Sequence, residues 1–161
     1  MAQEKESKDK ETLKKEAAEK VSYYGPLGGS CCQSILAVSQ EVFGLEDDIA
    51  FRAGSFFGGG PGRHGSICGA LVGAVMALGM KYGRSKENMA DYESLTPGMN
   101  KSLEMVRWFE NEFGSVRCHD ITGIDFFDDA QRLKWRNTPG EREKCWALEA
   151  KVIDRLIDLI E

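Results

Sequence analysis

The stretch from Ile67 to Tyr82 constrains this chain more than any other, because it is apolar or small throughout and its one charge, Lys81, lies near its end. A helix without a polar face has to be enclosed by other elements, so these residues predict a central helix around which the rest packs. Its apolar run, about a dozen residues, falls short of the roughly 20 needed to cross a bilayer, which makes it a core helix rather than a membrane span. Gly69, Gly73 and Ala77 recur at intervals of four and form a flat strip where another backbone or a ligand approaches closely. Glycine costs about 1 kcal/mol in a helix interior, so the strip calls for a packing reason.

The flanking segments supply the enclosure. Leu13, Ala17 and Val21 recur four apart within a Glu/Lys-rich start, which makes residues 1–20 a charged N-terminal segment, helical or partly disordered. Residues 21–161 then read as one helical domain, long enough to bury a core without disulfide staples. Ser30 is placed to cap a helix through Phe43, and a shorter helix is expected from Asp47 to Phe57. The run Gly58-Gly59-Gly60-Pro61-Gly62 cannot sustain regular structure and forms a loop before the central helix. After a polar linker over 84–97, Asn100 is placed to cap a helix to Phe113. Thr138-Pro139-Gly140-Glu141 has the spacing of a capping box with proline at the first helical position, opening a last helix to about Ile160. With no period-two strand in view, the expected fold is all-α: a compact bundle of about five to six helices, with a glycine-rich loop before a buried central helix.

Charge excludes some partners. Asp and Glu (26) outnumber Lys and Arg (21), and no predicted face gathers basic residues, so nucleic acid is not an expected partner. The first 20 residues lack the apolar run of a secretory signal or anchor, which points to a cytoplasmic protein without membrane insertion. In a reducing compartment Cys31, Cys32, Cys68, Cys118 and Cys145 would seldom form permanent disulfides. Their bland reading is as small buried hydrophobes.

Their spacing is too wide for the close pairs of zinc ribbons, but their positions are informative. Cys31 follows the cap Ser30, and Cys68 follows the glycine loop, so both stand at expected helix starts where the dipole favours a thiolate. Cys118 lies just beyond a helix end at Gly114, and Cys145 lies in the first turns of the last helix. Four thiolates around one centre suit either tetrahedral zinc or an iron–sulfur cluster. The Gly58–Gly65 loop lacks the Gly-Lys-Ser/Thr ending and the preceding strand of a phosphate loop. His64 and His119 read as surface histidines, and Asp125, Asp128 and Asp129 as a solvated helix start rather than a calcium loop. Neither a nicotinamide or flavin fingerprint nor a Cys-x-x-Cys-His haem attachment is present.

The same residues carry a resemblance. Ser30-Cys31-Cys32-Gln33-Ser34-Ile35-Leu36, Phe56-Phe57-Gly58-Gly59-Gly60-Pro61-Gly62-Arg63, Cys68-Gly69-Ala70-Leu71-Val72-Gly73-Ala74, Ala77-Leu78-Gly79-Met80-Lys81-Tyr82-Gly83, Phe113-Gly114-Ser115-Val116-Arg117-Cys118 and Lys144-Cys145 resemble the C_GCAxxG_C_C family of redox-active proteins over about residues 20–155. The resemblance makes Cys31, Cys68, Cys118 and Cys145 the signature set, with Cys32 standing where the family usually has alanine. A related module in split-Soret cytochrome c accompanies an iron–sulfur centre, so the resemblance implies cluster binding, with a two-iron two-sulfur cluster favoured and zinc the alternative. Gly59, Gly60 and Gly69 would let backbone approach the sulfurs. The implied role is electron transfer or redox sensing, as an accessory protein rather than a stand-alone enzyme, with a redox partner protein and with a homodimer allowed. Two competing expectations are a thiol–disulfide or metal-carrying protein without a cluster, and a non-redox helical interaction module.

Overall fold

A computed structural model describes residues 8–160. The first seven residues of the expected charged segment, and residue 161, lie outside the described residues. Eight α-helices follow in order: α1 (Lys10–Tyr24), α2 (Cys31–Phe43), α3 (Asp48–Ala53), α4 (Gly69–Tyr82), α5 (Tyr92–Phe113), α6 (Cys118–Thr122), α7 (Asp129–Asn137) and α8 (Glu141–Ile160). The all-α class holds, whereas the count of five to six helices was too low. The additional helices are α6 and α7, whose five and nine residues bring at most one buried side chain each, so no apolar stripe announces them in the sequence.

The apolar stretch forms α4, which packs against α2, α5 and α8, while α1 closes the bundle over α8 and α2. Ala70, Ala74, Ala77 and Leu78 of α4 are buried against Ile35 and Val38 of α2, Met105 and Phe109 of α5, and Val152, Ile153 and Leu156 of α8. Leu13, Ala17 and Val21 bury the inner stripe of α1. On its outer side Lys14 bridges Asp154 and Asp158 of α8, both at 3.1 Å.

Ser30 caps α2 as expected, within a reciprocal capping box that includes Gln33. Three boundaries differ from expectation. Helix α5 begins at Tyr92 rather than after Asn100, because Asp91 accepts the N–H groups of Glu93 and Ser94 and nucleates the helix early. Pro97 is thereby taken inside the helix, where its ring nitrogen leaves one carbonyl of the preceding turn without a helical donor. The expected capping box at Thr138 does not form, since its hydroxyl donates back to the carbonyl of Lys134 and the chain turns through Gly140 at φ +89°. Helix α3 stops at Ala53 and passes into a single 3-10 turn over Gly54–Phe56. No described helix is long and apolar enough to cross a membrane.

Candidate functional site

Cys31, Cys68 and Cys118 sit at the starts of helical elements and Cys145 in the second turn of another. Cys31 is the first residue of α2, fixed by the Ser30 cap, whose hydroxyl accepts the Gln33 N–H at 3.2 Å. Cys68 is the N-cap of α4 and Cys118 the first residue of α6. The Cys68 N–H donates to the Val116 carbonyl at 2.8 Å and the Cys118 N–H to the Ser66 carbonyl at 2.7 Å, on either side of an antiparallel bridge between Ile67 and Arg117. That two-residue clamp holds together two chain segments far apart in sequence. Cys145 approaches from the first turns of α8.

Cys31, Cys118 and Cys145 line one cleft of about 470 Å³, and Cys68 is buried in the core cluster behind it. A charge on Cys68, Cys118 or Cys145 would be felt at Cys31, and one on Cys68 at Cys32 as well. All five cysteines are free thiols. Cys32 turns the other way: its sulfur lies 3.7 Å from that of Met76, fully buried between α2 and α4. Among the described residues no three Cys, His, Asp or Glu side chains stand close enough together to hold a single metal ion.

Burial dominates the electrostatics. It pushes the thiols of Cys118 and Cys145 up to about 12 and that of Cys31 well above the ordinary range, with charge on the neighbouring thiols adding to the effect. At Cys68 the amides of Ala70 and Leu71, the first turn of α4, pull the other way and are outweighed by desolvation. The helix-start thiolates expected from position alone are therefore neutral thiols in the metal-free protein. The dipole effect falls off within a turn and is modest, whereas desolvating an unpaired charge is costly.

Glu149 is the site residue that the sequence reading passed over. It lies one turn after Cys145 on α8, is 2% exposed, and its Oε2 has no hydrogen-bonding partner. Burial raises its carboxyl to about 8, against the opposing pull of the Cys31 thiol and the Ser34 hydroxyl that face it. A signal was present in the sequence: a glutamate between Leu148 and Val152, on the same apolar stripe as Cys145 and Leu156.

Of the glycines expected near the sulfurs, Gly59 lines the cleft, where a Cβ would meet the ring of Phe126 at 3.1 Å. Gly60 and Gly69 instead allow backbone to pass backbone: a Cβ on Gly60 would fall 2.7 Å from the Ser66 nitrogen, and one on Gly69 2.7 Å from the Phe57 carbonyl oxygen. His64 and His119 are exposed. Asp128 caps α7 by accepting the N–H groups of Ala130 and Gln131.

Neither a search of curated proteins nor one of solved structures returned a match. A family model described as "Putative redox-active protein (C_GCAxxG_C_C)" matches residues 30–159, from the cap of α2 to the penultimate residue of the last helix, and takes in all four cysteines of the candidate site. On that match the chain belongs to the C_GCAxxG_C_C redox-active protein family.

Proposed function

We propose that Cys31, Cys68, Cys118 and Cys145 hold an iron–sulfur cluster, a two-iron two-sulfur centre in the favoured form, and that the protein carries or senses electrons. The observation that supports this most strongly is the delivery of four thiols from four separate elements to one partly enclosed region. The donor set is entirely sulfur, which suits iron–sulfur and zinc alike. One further point favours a metal centre over thiol exchange. Thiol–disulfide exchange proceeds through a thiolate, and burial holds these thiols neutral, whereas a metal centre displaces the protons and supplies the compensating positive charge.

When bound, a cluster would supply one-electron chemistry. The chain would contribute the rest: Cys68 on the core side and Cys31, Cys118 and Cys145 toward the cleft would anchor it, and the packed bundle would keep water from the inner face. On this reading the protein is an accessory electron-transfer or redox-sensing protein, its chemistry supplied by the thiol centre.

The test is anaerobic purification and reconstitution of the full chain, with visible absorption and iron and acid-labile sulfide assays on wild type and Cys68→Ser. Iron and sulfide in about equal amounts, lost in the variant, are the expected outcome. Stoichiometric zinc without sulfide, or free thiols after reconstitution, would overturn the cluster.

A further inference from the structure

The cleft above the thiols has a chemistry of its own. Arg63, Arg132 and Arg136 line it and no aspartate or glutamate does, although acidic residues outnumber basic ones, 26 to 21, in the whole chain. Arg132 is committed, donating to the Phe126 carbonyl at 2.9 Å and pairing with Asp129. Arg63 and Arg136 are exposed and, among the described residues, have no ion-pair partner. A cleft lined by one sign of charge concentrates counter-charged solutes, and the guanidinium fork matches phosphate and carboxylate.

Arg63 is also the one described non-glycine residue with a left-handed backbone, at φ 67°. The turn that holds it there is closed by its N–H donating to the Gly60 carbonyl at 2.8 Å. Arginine gains nothing from that conformation locally, and such outliers persist where the surrounding structure imposes them.

The remaining wall is aromatic. Trp135 lies edge-to-face with Phe126 at 5.2 Å between ring centres, bracing a partly exposed indole beside the cleft. Phe56, at the mouth, is 83% exposed, an unusual state for a large apolar ring. Cleft volume, about 470 Å³, is in the range of sites for drug-sized molecules.

We propose that this cleft binds a small anion bearing a flat unsaturated ring, of about mononucleotide size, with its acidic group on Arg63 and Arg136 and its ring against Trp135 and Phe56. The ligand's role as the small-molecule partner of the thiol centre rests on the redox reading above; the binding itself rests on the cleft. This is side-chain recognition at an arginine rim and does not require a phosphate loop.

The experiment titrates the full chain at low salt with three probes: flavin mononucleotide, riboflavin, which keeps the ring and lacks the phosphate, and inorganic phosphate, which lacks the ring. Flavin fluorescence and calorimetry read the affinities. Flavin mononucleotide should bind at least about tenfold more tightly than either fragment, and more weakly as salt is raised. The double variant Arg63→Gly/Arg136→Ser should lose about tenfold in affinity with an unchanged melting temperature, since both side chains are exposed and glycine relieves the left-handed backbone. Equal affinity for flavin mononucleotide and either fragment, no binding of it at all, or no effect of the double variant would overturn the proposal. Iron and sulfide are measured on the same preparations. A cluster-bearing protein that ignores flavin mononucleotide defeats this inference alone, and a protein that binds it but never takes up iron and sulfide defeats the cluster reading alone.

Discussion

Cys31 and Cys32 are adjacent in sequence and belong to different parts of the molecule. Cys31 faces the cleft, within electrostatic reach of three other thiols and of the buried carboxyl of Glu149. Cys32, rotated by about 100° on the same helix, is sealed between α2 and α4, where its sulfur meets Met76 and a Cβ on Gly54 would come within 3.1 Å of it. The cleft face gathers polar and titratable groups, among them Arg63, Arg136 and the thiols of Cys118 and Cys145. The α2–α4 face is closed and satisfied, and it is held tight because Gly69 and Gly73 let two backbones nearly touch. One face of the helix thus serves chemistry and the other serves packing, and several substitutions separate the two.

The largest effect should come from exchanging the two cysteines separately. Cys31→Ser is expected to lose nearly all bound iron and sulfide after reconstitution, while Cys32→Ala keeps them and loses a little stability through a small cavity, about 1 kcal/mol. If the alanine variant were the colourless one, the assignment of faces would be reversed.

Next in size is Gly73→Ala. Its Cβ would lie 2.8 Å from the Cys32 carbonyl oxygen and 2.9 Å from the Ile35 Cβ, so α2 and α4 would have to move apart. A loss of about 1–3 kcal/mol in urea unfolding is expected. A neutral result would mean that the two helices are not held at this spacing.

Glu149 tests the cleft side through pH. Its carboxyl, raised to about 8 in the folded metal-free protein, titrates near 4.3 when unfolded. The folded state therefore binds the extra proton between those values. The contribution is fully present below about pH 4, declines as pH rises through the window, and is gone above the folded value. Urea melts of reduced, metal-free wild type should lose stability steadily from pH 5 to 8, and Glu149→Gln should flatten that slope. An unchanged slope would place the titrating group elsewhere.

The smallest effect is expected at Gly79, on the same helix as Gly73 but with no atom within 4 Å of an added Cβ. Gly79→Ala should stabilise the protein by up to about 1 kcal/mol, read as a small rise in melting temperature. Opposite signs at Gly73 and Gly79 would locate the close helix contact at the Cys32 end of α4.

Much of this fold is visible in the residues themselves. The uniformly apolar α4, the Ser30 cap, the stripes of α1 and α8 and the glycine loop are local patterns that elementary helix chemistry reads directly. The start of α5 was missed because Asn100 and Asp91 are both good caps, and only the folded chain selects the earlier one. Helix α6 was missed because only Cys118 on it is buried, and of α7 only the start at Asp128 was legible, because nothing on it is buried. At the site, the four cysteines were named from the family resemblance, yet their state was misjudged. A helix start is a property of the local chain, but desolvation depends on what the rest of the molecule places over the sulfur.

The sequence by itself determined that this is a helical protein, where its central helix lies, and which family it belongs to. Tertiary structure decided that Cys31, Cys118 and Cys145 line one cleft with Cys68 in the core cluster, that burial keeps the thiols neutral, that Glu149 is buried beside them, and that three arginines, Phe56, Phe126 and Trp135 line the same cleft. The physical reason is range. Caps, periodicity and glycine conformations act over a few residues and are written in the local chain, whereas burial and charge neighbourhoods are set by segments such as Val116–Cys118 and α8, which meet α4 only when the bundle closes.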